Sequence, residues 1–166
     1  MVEKNELIHI ITSFLKEIGI EVVYQNLEDS CFLPGLTIYK NSILIDKEKL
    51  LYPGDLLHEA GHIAVTEPQQ RALIGTPEID SNWPDEGNEI ASVLWSYAAL
   101  CHLKISPEVV FHENGYKNQS QWLIKQFETK NFIGLPLLEW MGLCVSTSPQ
   151  QTPDIKPFPN MLKWLR

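Results

Sequence analysis

Positive charge is what this chain has little of. Lys and Arg number 13 against 21 Asp and Glu, a net charge of −8. A general binder of nucleic acid or of anionic membranes needs a basic face, so both classes are disfavoured. No apolar run approaches the length of a membrane span, and the opening Met-Val-Glu-Lys-Asn-Glu lacks the basic region and apolar core of a secretory signal. The expectation is a cytoplasmic protein. Cysteine is also sparse: Cys31, Cys101 and Cys144 are an odd number, widely separated, without a C-x-x-C pair. That argues against a disulfide framework and a thiolate zinc site, and leaves buried reduced thiols as the reading. There is no internal repeat.

What is present suits one globular domain. A chain of 166 residues can bury a core without staples, and its 44% hydrophobic and 20% charged shares are ordinary. Apolar residues at Leu7, Ile8, Ile11, Phe14, Leu15 and Ile18 have helical spacing, and Gly19 is a stop signal. Residues 20–24 read as a strand and 32–46 as a hairpin turning at Lys40-Asn41. Pro53-Gly54-Asp55 opens a helix that runs to about Thr66. Residues 67–85, with three prolines and Gly75, read as a long loop or lid. A strong helix follows over 88–103, with two more over 119–128 and 135–143. The stretch 145–160 carries Pro149, Pro153, Pro157 and Pro159 and should be extended, and it leads into the apolar Met161-Leu-Lys-Trp-Leu-Arg166. We therefore expect a domain over 1–144 and a proline-rich tail, 145–166, docked on the same domain. A sharper alternative places that tail near the active cleft as a plug or packs it on a partner.

One five-residue stretch carries chemistry: His58-Glu59-Ala60-Gly61-His62, an H-E-x-x-H pattern. With five His in the chain, the pattern is expected by chance about 0.01 times. The spacing puts two imidazoles on one face of a helix, where they can hold a zinc ion, with the glutamate placed to act on a water beside it. Leu56, Leu57, Ile63, Ala64 and Val65 surround the motif, so the helix is largely buried and its histidines need partners. Zinc in a hydrolase needs a third protein ligand and an open position. An extended H-x-x-G-x-x-H pattern is absent, because Val65 and Pro68 stand at its positions. Glu89 lies 27 residues beyond His62, on a helix face shared with Val93, Ser96 and Leu100, with Ser92 at its margin. Glu86, Asp80 and Glu78 are the rival third ligands.

The run L-L-H-E-A-G-H-I-A after a strand hairpin, followed by E-I-A-S-V-L-W-S-Y-A-A-L, resembles the ImmA/IrrE-type metallopeptidases over roughly 36–103. The resemblance implies an α+β, zincin-like fold. A small antiparallel sheet would pack on the H-E-x-x-H helix and on a second, ligand-bearing helix, with a mostly helical C-terminal half. It implies His58, His62 and Glu89 as zinc ligands and Glu59 as general base. Ser92 and Trp95-Ser96-Tyr97 depart from the family's usual residues, and Val93 stands where other gluzincins often have an acid. Ser92, Ser96 or a backbone carbonyl could support a ligating histidine. Tyr97, His112 and Tyr116 are candidate donors to the developing oxyanion. The expected function is zinc-dependent hydrolysis of a peptide bond in an intracellular, regulatory protein. The alternative is a zincin-fold module that binds a protein and has lost or restricts its activity. A protein or peptide is the partner in either case.

Overall fold

The computed structural model describes residues 3–166. Helix α1 (Lys4–Glu17) buries Ile8, Ile11, Phe14 and Leu15 along one stripe. It stops where Gly19 N–H bonds Lys16 O and Ile20 N–H bonds Leu15 O, the paired bonds that satisfy the last carbonyls of a helix. The chain then enters β1 (Glu21–Tyr24). After a long loop, β2 (Leu36–Tyr39) and β3 (Ser42–Ile45) form the hairpin, closed by the Tyr39–Ser42 pair around Lys40-Asn41.

The sheet order is β1-β3-β2. Strands β2 and β3 are antiparallel, but β1 runs parallel to β3, with Val22 opposite Ile43. The sheet is therefore mixed, not antiparallel as the resemblance implied. The loop between β1 and β2 carries the chain back to the far edge, so β3 returns alongside β1 in the same direction. Asp46 anchors that loop by accepting from Leu27 N–H at 3.0 Å. Side-chain alternation is the same for either strand direction, so the pattern of residues could not decide it.

Helix α2 (Asp55–Val65) carries the H-E-x-x-H motif and packs on both β2 and β3 and along α4 (Glu86–Leu103). Between them lies α3 (Pro68–Arg71), a single turn inside the segment expected to be a loop. Pro68 starts it, because proline gives up nothing in a first helical turn. Helix α4 begins two residues earlier than expected, where Asp85 caps it by accepting from Asn88 N–H at 2.7 Å. A second short helix, α5 (Pro107–Val110), was also not expected. Helices α6 (Ser120–Glu128) and α7 (Leu135–Trp140) complete the helical half.

Two glycines set how closely these elements approach. A Cβ on Gly61 would sit 2.8 Å from Ser92 O and 3.1 Å from Ser92 Cα, so α2 and α4 meet backbone to backbone at this point. A Cβ on Gly54 would sit 1.9 Å from Val109 O, which seats α5 against the start of α2. Neither contact survives a side chain without a shift of backbone.

The proline-rich stretch forms no helix or strand, but it is tied down. Cys144 and Met161 form an isolated bridge, Phe158 N–H bonds Val145 O, and Leu162 N–H bonds Leu143 O. Trp164 then inserts edge-on against Phe14 and Trp95, with ring centroids at 4.9 and 5.5 Å, and its carbonyl accepts from Trp95 Nε1. Arg166 N–H reaches Ala64 O at the end of α2. Among the described residues, no helix is long and apolar enough to cross a membrane.

Candidate metal centre

His58 and His62 lie one turn apart on α2, and Glu89 lies in the first turn of α4. The close crossing at Gly61 and Ser92 brings these three together. His58 Nε2 and His62 Nε2 are 3.1 Å apart, and the Glu89 carboxylate oxygens lie 3.4 Å from the first and 3.3 Å from the second. A tetrahedral zinc with bonds of about 2.0–2.1 Å has neighbouring ligand atoms about 3.3 Å apart. The two imidazole nitrogens thus stand close to one edge of such a tetrahedron, each faces a Glu89 oxygen at the same spacing, and the residues present fit the ion. Among the described residues this is the one group of three or more His, Cys, Asp or Glu side chains whose ligand atoms converge in this way. The rival acids do not join it. Asp80 is turned to a separate pocket and accepts from Asn82 N–H at 2.8 Å, while Glu86 and Glu78 lie outside the group.

The partners of His62 determine its tautomer. Its Nδ1 is 2.6 Å from Asn88 Oδ1 and 3.0 Å from Ser92 Oγ. Asn88 Nδ2 donates to Thr66 Oγ1, which also accepts from Trp83 Nε1 and donates to His62 O. That chain orients the Asn88 amide with its oxygen toward the ring. Ser92 Oγ donates to Asn88 O and so accepts from the ring as well. Nδ1 therefore carries a proton, and Nε2 is the nitrogen that faces His58 and Glu89: it can give a proton to Glu89 when the ring is charged and is left as the ligating atom when the ring is neutral. Ser92 takes the supporting place open to it, whereas Ser96 bonds Val93 O in its own helix. Asn88, Thr66 and Trp83 were not singled out by the sequence reading. The i, i+4 spacing of Asn88 and Ser92 was the available signal for the first of these. His58 Nδ1 is buried and has no protein partner among the described residues.

Burial shapes the protonation of the cluster. It pushes the His58 imidazolium down to about 4, helped by neighbouring His62. It pushes the Glu59 carboxyl up to about 7. Burial also works against charge on His62, but its bond to Glu89, the charge of Glu59 and its bond to Asn88 outweigh it and raise the ring. The hydrogen bond with His62 holds Glu89 below the usual carboxylate range.

The cluster opens on a cleft of about 800 Å³. Glu59 lines it beside the two histidines. Leu36 and Ile38 of β2, with Ile74 and Trp83, form an apolar wall, and the turn Asn114–Lys117 forms a rim. No residue of 145–166 is among its lining, so the proline-rich stretch docks elsewhere and does not plug this cleft.

The three candidate oxyanion donors separate. Tyr97 packs among Phe127, Phe132 and Phe158, with centroids 4.5, 5.8 and 6.2 Å away, and does not line the cleft. Helical periodicity points it at the C-terminal half rather than along the Glu89 face. His112 is engaged by Asp55 Oδ1 at 2.8 Å and stacks on Tyr52 at 3.9 Å, so its Nε2 is not free to act on a substrate. Tyr116 does line the cleft: its ring stands edge-on to His58 at 5.7 Å, and its hydroxyl is buried without a hydrogen-bond partner among the described residues.

Compared with known protein families, with curated proteins and with solved structures, the chain matches none.

Proposed function

We propose that the protein is a zinc-dependent metallopeptidase with a zincin-like fold of the ImmA/IrrE type. The observation that carries the reading is the convergence of His58 Nε2, His62 Nε2 and the Glu89 carboxylate at tetrahedral spacing, with Glu59 in the same open cleft. His58, His62 and Glu89 would hold the ion. Bound zinc supplies Lewis-acid chemistry, making water acidic near neutrality and polarising a carbonyl oxygen.

The chain's own residues do the rest. Asn88 and Ser92 keep His62 in the tautomer that can ligate. Glu59 accepts a proton from the water that attacks the peptide carbonyl and delivers it to the leaving amine. Burial, which disfavours the charged carboxylate, favours the uptake of a proton by Glu59. Tyr116, with an unpartnered hydroxyl at the cleft, donates a hydrogen bond to the carbonyl oxygen as negative charge develops there. The apolar wall and the openness of the cleft suit a peptide chain better than a small polar substrate.

The test pairs metal content with a Glu59→Gln variant. We expect one zinc per chain in both proteins and hydrolysis of a peptide pool by the wild type alone, with general acid–base catalysis worth about 10²–10⁴-fold. A wild type that binds no zinc, or a variant as active as the wild type, overturns the reading.

A further inference from the structure

The pair that removes His112 from the list of oxyanion donors points to a different role for it. His112 follows α5, and its Nε2 donates to Asp55 Oδ1 at 2.8 Å, with both side chains mostly buried. Asp55 is the first residue of α2 and itself lines the cleft, one turn before Glu59. The pair therefore ties the segment after α5 to the helix that bears the motif. Other contacts converge on the same segment. Gly54 admits Val109 and Val110 at backbone distance, Tyr52 stacks on the His112 ring at 15° between planes, and Ser120 Oγ bonds Phe111 O.

What this segment presents to the cleft is a strained turn. Tyr116, Lys117 and Asn118 have φ of +55°, +51° and +64°, three successive residues with a Cβ in the left-handed region. L-residues avoid that conformation, and runs of it are rarer than single cases. Such a turn persists only where its surroundings over-determine it. The surroundings here are the His112 ring, which lies 3.3 Å from where a Cβ on Gly115 would be, and Phe111, edge-on to Tyr116 at 5.2 Å. Nothing polar among the described residues holds the Tyr116 side chain, whose hydroxyl is buried and unpaired, so its place depends on the turn that bears it.

We propose that Asp55 and His112 are positioning residues: their hydrogen bond pins the strained 116–118 turn to the first turn of α2 and so holds the Tyr116 hydroxyl in the cleft beside His58. Its catalytic consequence rests on the peptidase reading above; its structural consequence does not. The closing experiment has one arm for each.

The first arm uses full-length, zinc-free protein labelled at tyrosine ¹³Cζ. There are five tyrosines, and Tyr116→Phe identifies the signal of interest. Asp55→Ala and His112→Leu should move and broaden that signal while leaving those of Tyr24, Tyr39 and Tyr97 in place; Tyr52, stacked on the His112 ring, moves with it and is no control. His112→Gln, whose amide nitrogen can replace Nε2, should restore it. A Tyr116 signal unmoved in both Asp55→Ala and His112→Leu overturns the proposal, whatever the activity. Thermal melts confirm folding, and Asp55→Ala decides if His112→Leu does not fold.

The second arm uses zinc-loaded protein and internally quenched peptides of mixed sequence. Tyr116→Phe should lower kcat about 100-fold, and Asp55→Ala and His112→Leu about 10- to 100-fold with little change in KM. In the Tyr116→Phe background, His112→Leu should cost nothing further, because its effect passes through that hydroxyl. Additive losses overturn the proposal. A wild type that cleaves no peptide removes the peptidase reading, and the spectroscopic arm then decides the positioning role by itself.

Discussion

Replacing Asn88 by Ala should weaken zinc binding without touching a ligand. Asn88 Oδ1 accepts from His62 Nδ1–H at 2.6 Å, the shortest contact that the ring makes. In the variant, Ser92 Oγ at 3.0 Å remains as the only partner of that nitrogen, and Thr66 keeps Trp83 as its donor. The ring stays in place but loses the acceptor that fixes its tautomer and tilt. Partners of this kind are worth about 10- to 100-fold in metal affinity, or about 1.4–2.7 kcal/mol. Zinc binds the folded chain, so with free zinc held well above both dissociation constants the same energy disappears from the zinc-induced stabilisation. For a chain of this length 1 kcal/mol moves Tm by about 2–4 °C, so the zinc-induced rise in Tm should shrink by about 3–11 °C. The assay is thermal unfolding of each variant in buffered zinc and in excess chelator, read as the difference between the two. That difference cancels any destabilisation unrelated to the ion. His62→Ala should lose the increment altogether. Ser96→Ala should keep it, since Ser96 bonds only Val93 O. An Asn88→Ala protein with the full wild-type increment would refute the account of His62, and a wild type with no increment would refute the metal centre.

Three further outcomes follow from the same contacts. In chelator, Glu59→Gln should be more stable than the wild type above neutral pH. Burial raises the folded carboxyl from 4.5 to about 7, so the wild type loses stability as pH rises between those values, by on the order of 3 kcal/mol, while glutamine does not. Urea unfolding of both at pH 5 and pH 8 checks this; equal differences at the two values would contradict it. Gly61→Ala forces a Cβ to 2.8 Å from Ser92 O and should cost about 1–3 kcal/mol. It should also lower zinc affinity, measured by competition with a chromophoric chelator, because the crossing that brings Glu89 to the histidines opens. Trp164→Ala removes a ring packed on Phe14 and Trp95 and should cost about 3 kcal/mol in denaturant melts. Stoichiometric zinc binding should survive it, because no residue of 145–166 lines the cleft.

Much of the fold was legible because local chemistry dictates it. The apolar stripe of α1, the hairpin around Lys40-Asn41 and the proline-marked start of α2 follow from periods and turn residues that act within a few positions. The misses share a cause. Helices α3 and α5 are single turns, too short to show a period. The parallel pairing of β1 depends on where a long loop delivers the chain. Tyr97 and His112 were named by residue type, and which way each side chain points depends on neighbours far away in sequence.

The site divides along the same line. Spacing alone put His58 and His62 on one face of a helix with Glu59 between them, since a turn of helix is a local and rigid object. It also made Glu89 a candidate, but left Glu86, Asp80 and Glu78 beside it. Only the crossing of α2 and α4 at Gly61 and Ser92 brought one of those four acids within 3.4 Å of both imidazoles. The same crossing placed Asn88 and Ser92 at His62, and the seating of α5 on Gly54 placed Tyr116 at the cleft. Ligand types and their periodicity are properties of a segment and could be read from the sequence. Which acid completes the triangle, and which groups orient it, are decided by distances between segments, and those exist only once the helices have packed.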